Sequence, residues 1–245
     1  MHVGAMVWRT GAMLDFYEQV AWFREQGFEG IAFHTGPCLT GGWAGFDVRR
    51  AGPTERRRLR EAVAGSREVS IHGEFDLYDV ILSSPNEAIR RASVETLRGS
   101  LELAAEIGAP VVTTHEGSSR AHAPDLLRRE QLARSMDDLA AMAEALGVTV
   151  GFELTADYDL VLAHPGPVGI TLDVGHVSFG GGAGYREFGS IGGLIRHVGA
   201  KLVHVHVHDY DGRHDHLPLD AGRLDFDDIA AGLRDVGYAG MLCLE

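Results

Sequence analysis

Short apolar runs separated by longer stretches of helical spacing repeat along the whole chain. Eight of these runs read as strands, over residues 2–8, 30–35, 69–75, 110–115, 149–154, 168–173, 202–208 and 240–245. Between them lie six helical patterns and a shorter seventh, with apolar residues three and four apart, as in Leu132, Met136, Leu139, Ala143 and Leu146 of residues 125–146. Ser84-Pro85-Asn86-Glu87 reads as a capping box with proline at the first helical position, and Gly108 marks the end of the helix that follows. Alternating strand and helix segments build a parallel sheet, and eight such units predict an α/β fold, a (β/α)8 TIM barrel, as one domain over residues 1–245. No helical pattern follows the last strand. The sequence therefore predicts either a neighbouring subunit over that seam, in a homo-oligomer, or a barrel open between its eighth and first strands.

One strand departs from the apolar rule. Residues 202–208, Leu-Val-His-Val-His-Val-His, alternate strictly, so a strand here sends His204, His206 and His208 to one face. Imidazoles inside a domain are costly unless hydrogen-bonded or metal-bound, and neutral imidazole is a common ligand for zinc and similar ions. In a barrel of this kind the chemistry sits at the C-terminal ends of the strands. That rule selects His72, His115, Glu153, Asp173, His206 and Glu245 from strands three to eight, with His176, His214 and His216 supplied by loops. These donors suffice for two or three divalent ions, with Glu153 as the natural bridging carboxylate, and the mixed N/O set admits Zn, Mn, Co or Fe. Trp8, His34, His208 and Arg213 are candidate substrate contacts; Trp8 suits the floor of a sugar pocket and equally plain packing at the barrel mouth.

Composition narrows the field. A net charge of −13 argues against nucleic-acid or anionic-membrane partners and leaves a small-molecule substrate. Arg49, Arg50, Arg56, Arg57, Arg58 and Arg60 form the dense basic cluster, readable as a phosphate site or as a solvated helix face. No apolar run is long enough for a membrane span and the N-terminus lacks a basic region ahead of an apolar one, so a soluble, cytoplasmic protein is expected. Cys38 and Cys243 make neither a disulfide framework nor a zinc knuckle. Lys201, the sole lysine, opens its strand at the end away from the chemistry, which argues against Schiff-base catalysis. The glycine-rich stretch 36–45, with Trp43, suits a lid.

The segments Phe152-Glu153, Thr171-Leu-Asp173-Val-Gly-His176, His206-Val-His-Asp209, His216-Leu-Pro-Leu and Leu242-Cys-Leu-Glu245 resemble the xylose isomerase-like TIM-barrel superfamily, which contains sugar (phosphate) isomerases and epimerases and endonuclease IV. Resemblance to the epimerase branch implies one Mn, Co or Zn ion on Glu153, Asp173, His206 and Glu245, with the two glutamates moving a proton beside a carbonyl. Resemblance to the endonuclease branch implies three zinc ions on His72, His115, Glu153, Asp173, His176, His206, His214, His216 and Glu245. His214 stands where that branch has an aspartate, Leu219-Asp-Ala-Gly222 lacks its usual Gly-Glu turn, and basic loops to clamp a duplex are missing. Three readings follow. The first is a metal-dependent isomerase or epimerase of a small polyhydroxylated carbonyl compound, free or phosphorylated; the second is a multinuclear phosphoesterase; the third is a barrel that binds metal and ligand without catalysis.

Overall fold

The strands β1 (His2–Val7), β2 (Gly30–His34), β3 (Glu68–His72), β4 (Val111–His115), β5 (Thr149–Glu153), β6 (Val168–Asp173), β7 (Leu202–Val207) and β8 (Met241–Leu244) pair in parallel, in chain order, into a closed barrel. This is the TIM barrel that the repeating pattern predicts. The computed structural model describes residues 1–7, 15–37, 45–117 and 125–245. Backbone pairing of His2 with Met241 through Ala5 with Leu244 joins the first strand to the last, so the barrel is not open at that seam. No helix follows β8 among the described residues.

Helices α1 (Phe16–Glu25), α2 (Pro53–Val63), α3 (Glu87–Ile107), α4 (Asp125–Leu146), α5 (Tyr158–Ala163), α6 (Phe179–Gly182), α7 (Ile191–Val198) and α8 (Phe226–Asp235) lie between the strands. α6 is little more than a turn, with Gly180 and Gly181 in the left-handed region. Two boundaries differ from the sequence reading by more than a residue. Strand three stops at His72, and the chain then swings into a 3₁₀ turn at Asp76–Tyr78 that lays Phe75 against the rings of His72 and His115. α3 is capped by Asn86, whose side chain accepts the Ala88 N–H; Ser84 accepts the Asn86 N–H instead and stands outside the helix.

Strand parity divides the side chains. Residues such as Ile31, Phe33, Ile71, Phe152, Ile170, Leu172 and Val205 face outward and are fully buried under Leu97, Leu101, Leu132, Leu139, Leu194 and Ile195 of the helices. The opposite parity faces the barrel axis. At the floor Met241 fills the space left by Gly4 and Gly30, where an added Cβ would lie 2.0 and 2.1 Å from its sulfur. Higher up, the Thr113 and Thr171 hydroxyls bond at 2.8 Å across the interior. Above them the same parity delivers His72, Glu153, Asp173, His206 and Glu245 to the C-terminal mouth. The register of β6 against β7 slips between Ile170 and Thr171. The slip lets Val203 lie over Gly151 and Gly169, whereas His204, His206 and His208 stay buried. Lys201 sits at the far end, where its ammonium donates to the carbonyls of His164 and Val168. Among the described residues no helix is long and apolar enough to cross a membrane.

Candidate functional site

Glu153, at the end of β5, is the hub of the mouth. Its carboxylate lies 2.7 Å from His176 Nδ1, 3.1 Å from His206 Nδ1, 3.3 Å from His115 Nε2 and 3.8 Å from His72 Nε2. His206 Nδ1 is also 3.4 Å from Glu245 Oε2 and 3.9 Å from Asp173 Oδ2, so it stands between the carboxylates of β5, β6 and β8. Two donor groups with metal-ligand spacing result, His72–His115–Glu153 and Glu153–Asp173–His206, and Glu153 belongs to both. The residues fit divalent ions for a second reason. His115 Nε2, His206 Nδ1 and Glu245 Oε1 are buried polar atoms without a hydrogen bond, a state that is expensive unless another partner completes it.

A third donor group, His176–His208–His216, lies beside the first two. His208 was expected as a substrate contact. It is 1% exposed, and its Nε2 lies 2.9 Å from Asp173 Oδ1, so it belongs among the donors rather than on the open surface. Its ring stacks on His216 with centroids 4.2 Å apart, and Gly175 leaves the space it occupies. Asp215 flanks the group, 3.3 Å from His216 Nδ1 and 3.6 Å from His176 Nε2. His214 does not join it. That side chain is 60% exposed and turned to Asp211. The reason is the loop: Asp209 and Leu217 exchange both backbone hydrogen bonds and close residues 210–216 into a turn that points Asp215 inward and His214 outward. Asp209, buried, holds the other side of the turn by accepting the N–H groups of Tyr210, Gly222 and Leu224. The sequence reading gave neither Asp209 nor Asp215 a role, although an acid directly after a histidine strand and ahead of a glycine was a signal for the first.

Electrostatics sort the titratable groups. Burial opposes ionisation of Glu153, but His115, His176 and His206 together hold its carboxyl well below the usual range. Burial also opposes charge on the histidines, yet the facing carboxylates prevail and lift His115 to about 10 and His176 and His206 each to about 9. His72, with burial dominant, falls to about 4. Glu245 goes the other way from Glu153: burial, reinforced by the Asp173 and Glu153 carboxylates, pushes it up to about 7 against the pull of His206.

The remaining candidates separate from this cluster. His34 is buried behind it, its ring 4.4 Å from that of His72 and 5.7 Å from that of Phe75. Arg213 is exposed on the loop after β7. Trp8, Trp43 and Cys38 lie outside the described residues. The arginines of α2 are spent on their neighbours, Arg56 and Arg60 on Glu106, Arg57 at 4.0 Å from Glu61 and Arg58 over the Tyr17 ring; ahead of the helix Arg49 pairs with the buried Glu74, and Arg50 has no ion pair among the described residues. That pattern is a salt-bridged helix face.

Residues 20–245 match the family model described as xylose isomerase-like TIM barrel, and the chain belongs to that family. Among curated relatives, the uncharacterized protein MJ1311 of Methanocaldococcus jannaschii is 27% identical over 198 residues, covering 73% of this chain and 64% of that protein. The uncharacterized protein y4fM of Sinorhizobium fredii is 31% identical over 173 residues, covering 64% of this chain and 53% of its own. The chain thus spans less than two thirds of these relatives' length. Among solved structures, a D-tagatose 3-epimerase-like protein superimposes with a TM-score of 0.78 at 22% identity, over 99% of this chain and 90% of its own. D-psicose 3-epimerase of Clostridium cellulolyticum H10, solved with D-tagatose, gives 0.80 at 19% identity, over 100% and 84%. The 3-keto-D-glucoside 4-epimerase YcjR of E. coli gives 0.74 at 18% identity, over 100% and 91%. At these identities the superpositions establish the shared fold.

Proposed function

We propose that this protein is a divalent-metal-dependent isomerase or epimerase of a small ketose-like sugar. The observation that carries the reading is the pair Glu153 and Glu245, two buried carboxylates flanking His206 at one donor cluster, with opposite tendencies to hold a proton. Such a divergence is how a site divides acid from base. Glu153, Asp173, His206 and Glu245 would hold one ion, and His72 and His115 would share Glu153 with a second. A bound divalent ion would polarise the carbonyl and adjacent hydroxyl oxygens of the sugar. Glu153, kept ionised, takes the proton from the carbon next to the carbonyl; Glu245, from the other side of His206, returns one. His176, bonded to Glu153 at 2.7 Å, fixes the orientation of that carboxylate. The named epimerases that share this fold support the sugar as substrate class.

The test is solvent exchange. The metal-loaded protein in D2O should incorporate deuterium beside the carbonyl of D-fructose, D-tagatose or D-psicose, followed by NMR. Glu153→Gln and Glu245→Gln should each lose at least about a thousandfold in rate, within the range of a general acid–base contribution. Exchange at the wild-type rate in either variant overturns the assignment. The third donor group favours a second reading, a multinuclear phosphoesterase, because an epimerase with its ions on the first two groups leaves His208 and His216, converging with Asp215, without a role. Hydrolysis of a phosphodiester with no exchange on any ketose would select it.

A further inference from the structure

A cavity of about 600 Å³ opens on the same face of the barrel, between the loop of residues 178–191 after β6 and the loop of residues 210–228 after β7. Its walls include Tyr185, Tyr210, Gly212 and Arg223. It adjoins the donor cluster through Phe179, whose ring lies 5.0 Å from that of His176 and 5.3 Å from that of Tyr210. A sugar bound at the cluster could extend over Phe179 into this space.

The cavity's charges are unequally committed. Asp225 caps α8 by accepting the Asp228 N–H, and Asp228 accepts the Gly192 N–H at 2.7 Å and faces Arg196. Both carboxylates, and the first turn of α7 with them, are thereby occupied. Arg223 is not. Arg90, Arg98, Arg128 and Arg129 are matched to carboxylates, whereas the Arg223 side chain, which alone among the unpaired arginines lines this cavity, has no such partner among the described residues. Its guanidinium lies against Gly212 on the cavity wall, so close that a Cβ there would be 2.8 Å from Cζ. Gly212, at φ +98°, is in a region that L residues avoid, so the chain leaves this wall open for the guanidinium. The hydroxyls of Tyr185 and Tyr210 likewise donate to no group among the described residues. In a protein of net charge −13, an uncommitted guanidinium and two free phenols at one cavity make a local site for an anion.

We infer that this cavity is a subsite for an anionic group on the substrate, a phosphate or a carboxylate, held by Arg223 with Tyr185 and Tyr210 while the sugar carbonyl lies at the donor cluster. The inference rests on the sugar reading above, and the experiment separates the two. Binding of D-fructose, D-fructose 6-phosphate and D-fructuronate to metal-stripped protein is measured by calorimetry, for wild type, Arg223→Gln and Tyr210→Phe. The wild type should bind fructose 6-phosphate at least about tenfold more tightly than fructose, as a charge-assisted contact predicts. Arg223→Gln should erase most of that difference and leave fructose binding unchanged; Tyr210→Phe should reduce it. Arg223 is exposed, so the variant retains the fold. A preference shared by fructuronate assigns a general oxyanion site, and one limited to the phosphate ester assigns a phosphate site. Equal affinities in the wild type, no measurable binding of the phosphate ester, or a preference that survives Arg223→Gln overturns the inference. Absence of exchange on every sugar, with the anion preference intact, would instead remove the epimerase reading and leave the subsite standing.

Discussion

Glu153 touches His72, His115, His176 and His206, and no other carboxylate of the described cluster reaches as many histidines. This position was legible because strand parity and the rule of C-terminal strand ends both act on single residues: once Phe152 faces the helices, Glu153 must face the axis. Loop residues carry no such rule. His214 and Asp215 differ by one position, and which of them faces the donor groups depends on the Asp209–Leu217 pairing and on His216 adopting a left-handed φ of 49°. Neither is encoded in a period. The consequence is measurable by elemental analysis of gently purified protein. On the phosphoesterase reading His216→Ala and His208→Ala should each lose about one ion per chain, on the epimerase reading neither should, and His214→Ala should lose none on either. Loss of an ion in His214→Ala would mean that the loop turns over when metal binds.

At the scale of elements, α7 and α8 meet through glycines. A Cβ on Gly232 would fall 2.8 Å from the Gly192 Cα and 2.9 Å from its carbonyl oxygen, and these are backbone atoms that cannot rotate away. The close approach also fixes Asp228 on α8 where it receives the Gly192 N–H. Gly232→Ala should therefore cost about 1–3 kcal/mol and lower Tm by several degrees, read by thermal unfolding. An unchanged Tm would show that the two helices can separate without loss. The elements themselves were legible from their periods, and the errors lie where a local signal was ambiguous. Gly73-Glu-Phe75 continued the pattern of β3, but Phe75 is drawn off the strand to pack against His72 and His115. Ser84 offered a hydroxyl two residues too early, and Asn86 took the cap.

For the molecule as a whole, the histidines of the mouth tie stability to pH. His115, His176 and His206 have folded-state values of about 10, 9 and 9, above the 6.5 of an unfolded histidine. A group raised on folding contributes stability that is complete below its unfolded value and is lost as pH rises through its folded value. Metal-stripped protein should thus weaken steadily between about pH 6.5 and pH 9–10, and excess divalent ion, which binds the neutral imidazoles, should flatten that decline. Chemical denaturation across this range, with and without ion, reads it directly; a flat profile without metal would mean that the histidines are neutral in the folded protein. The closed seam was not legible at this scale, because a missing helical pattern says nothing about whether β1 and β8 find each other. That seam has a kinetic side. Glu153, Asp173 and His206 come from three consecutive strands, and Glu245 joins them through β8, which pairs with β7 on one side and with residues 2–5 from the opposite end of the chain on the other. Bringing such distant segments together is slow. Until that seam closes, β8 is held on one side only, so the glutamate proposed to return the proton is the last of the four proposed ligands to be fixed in place.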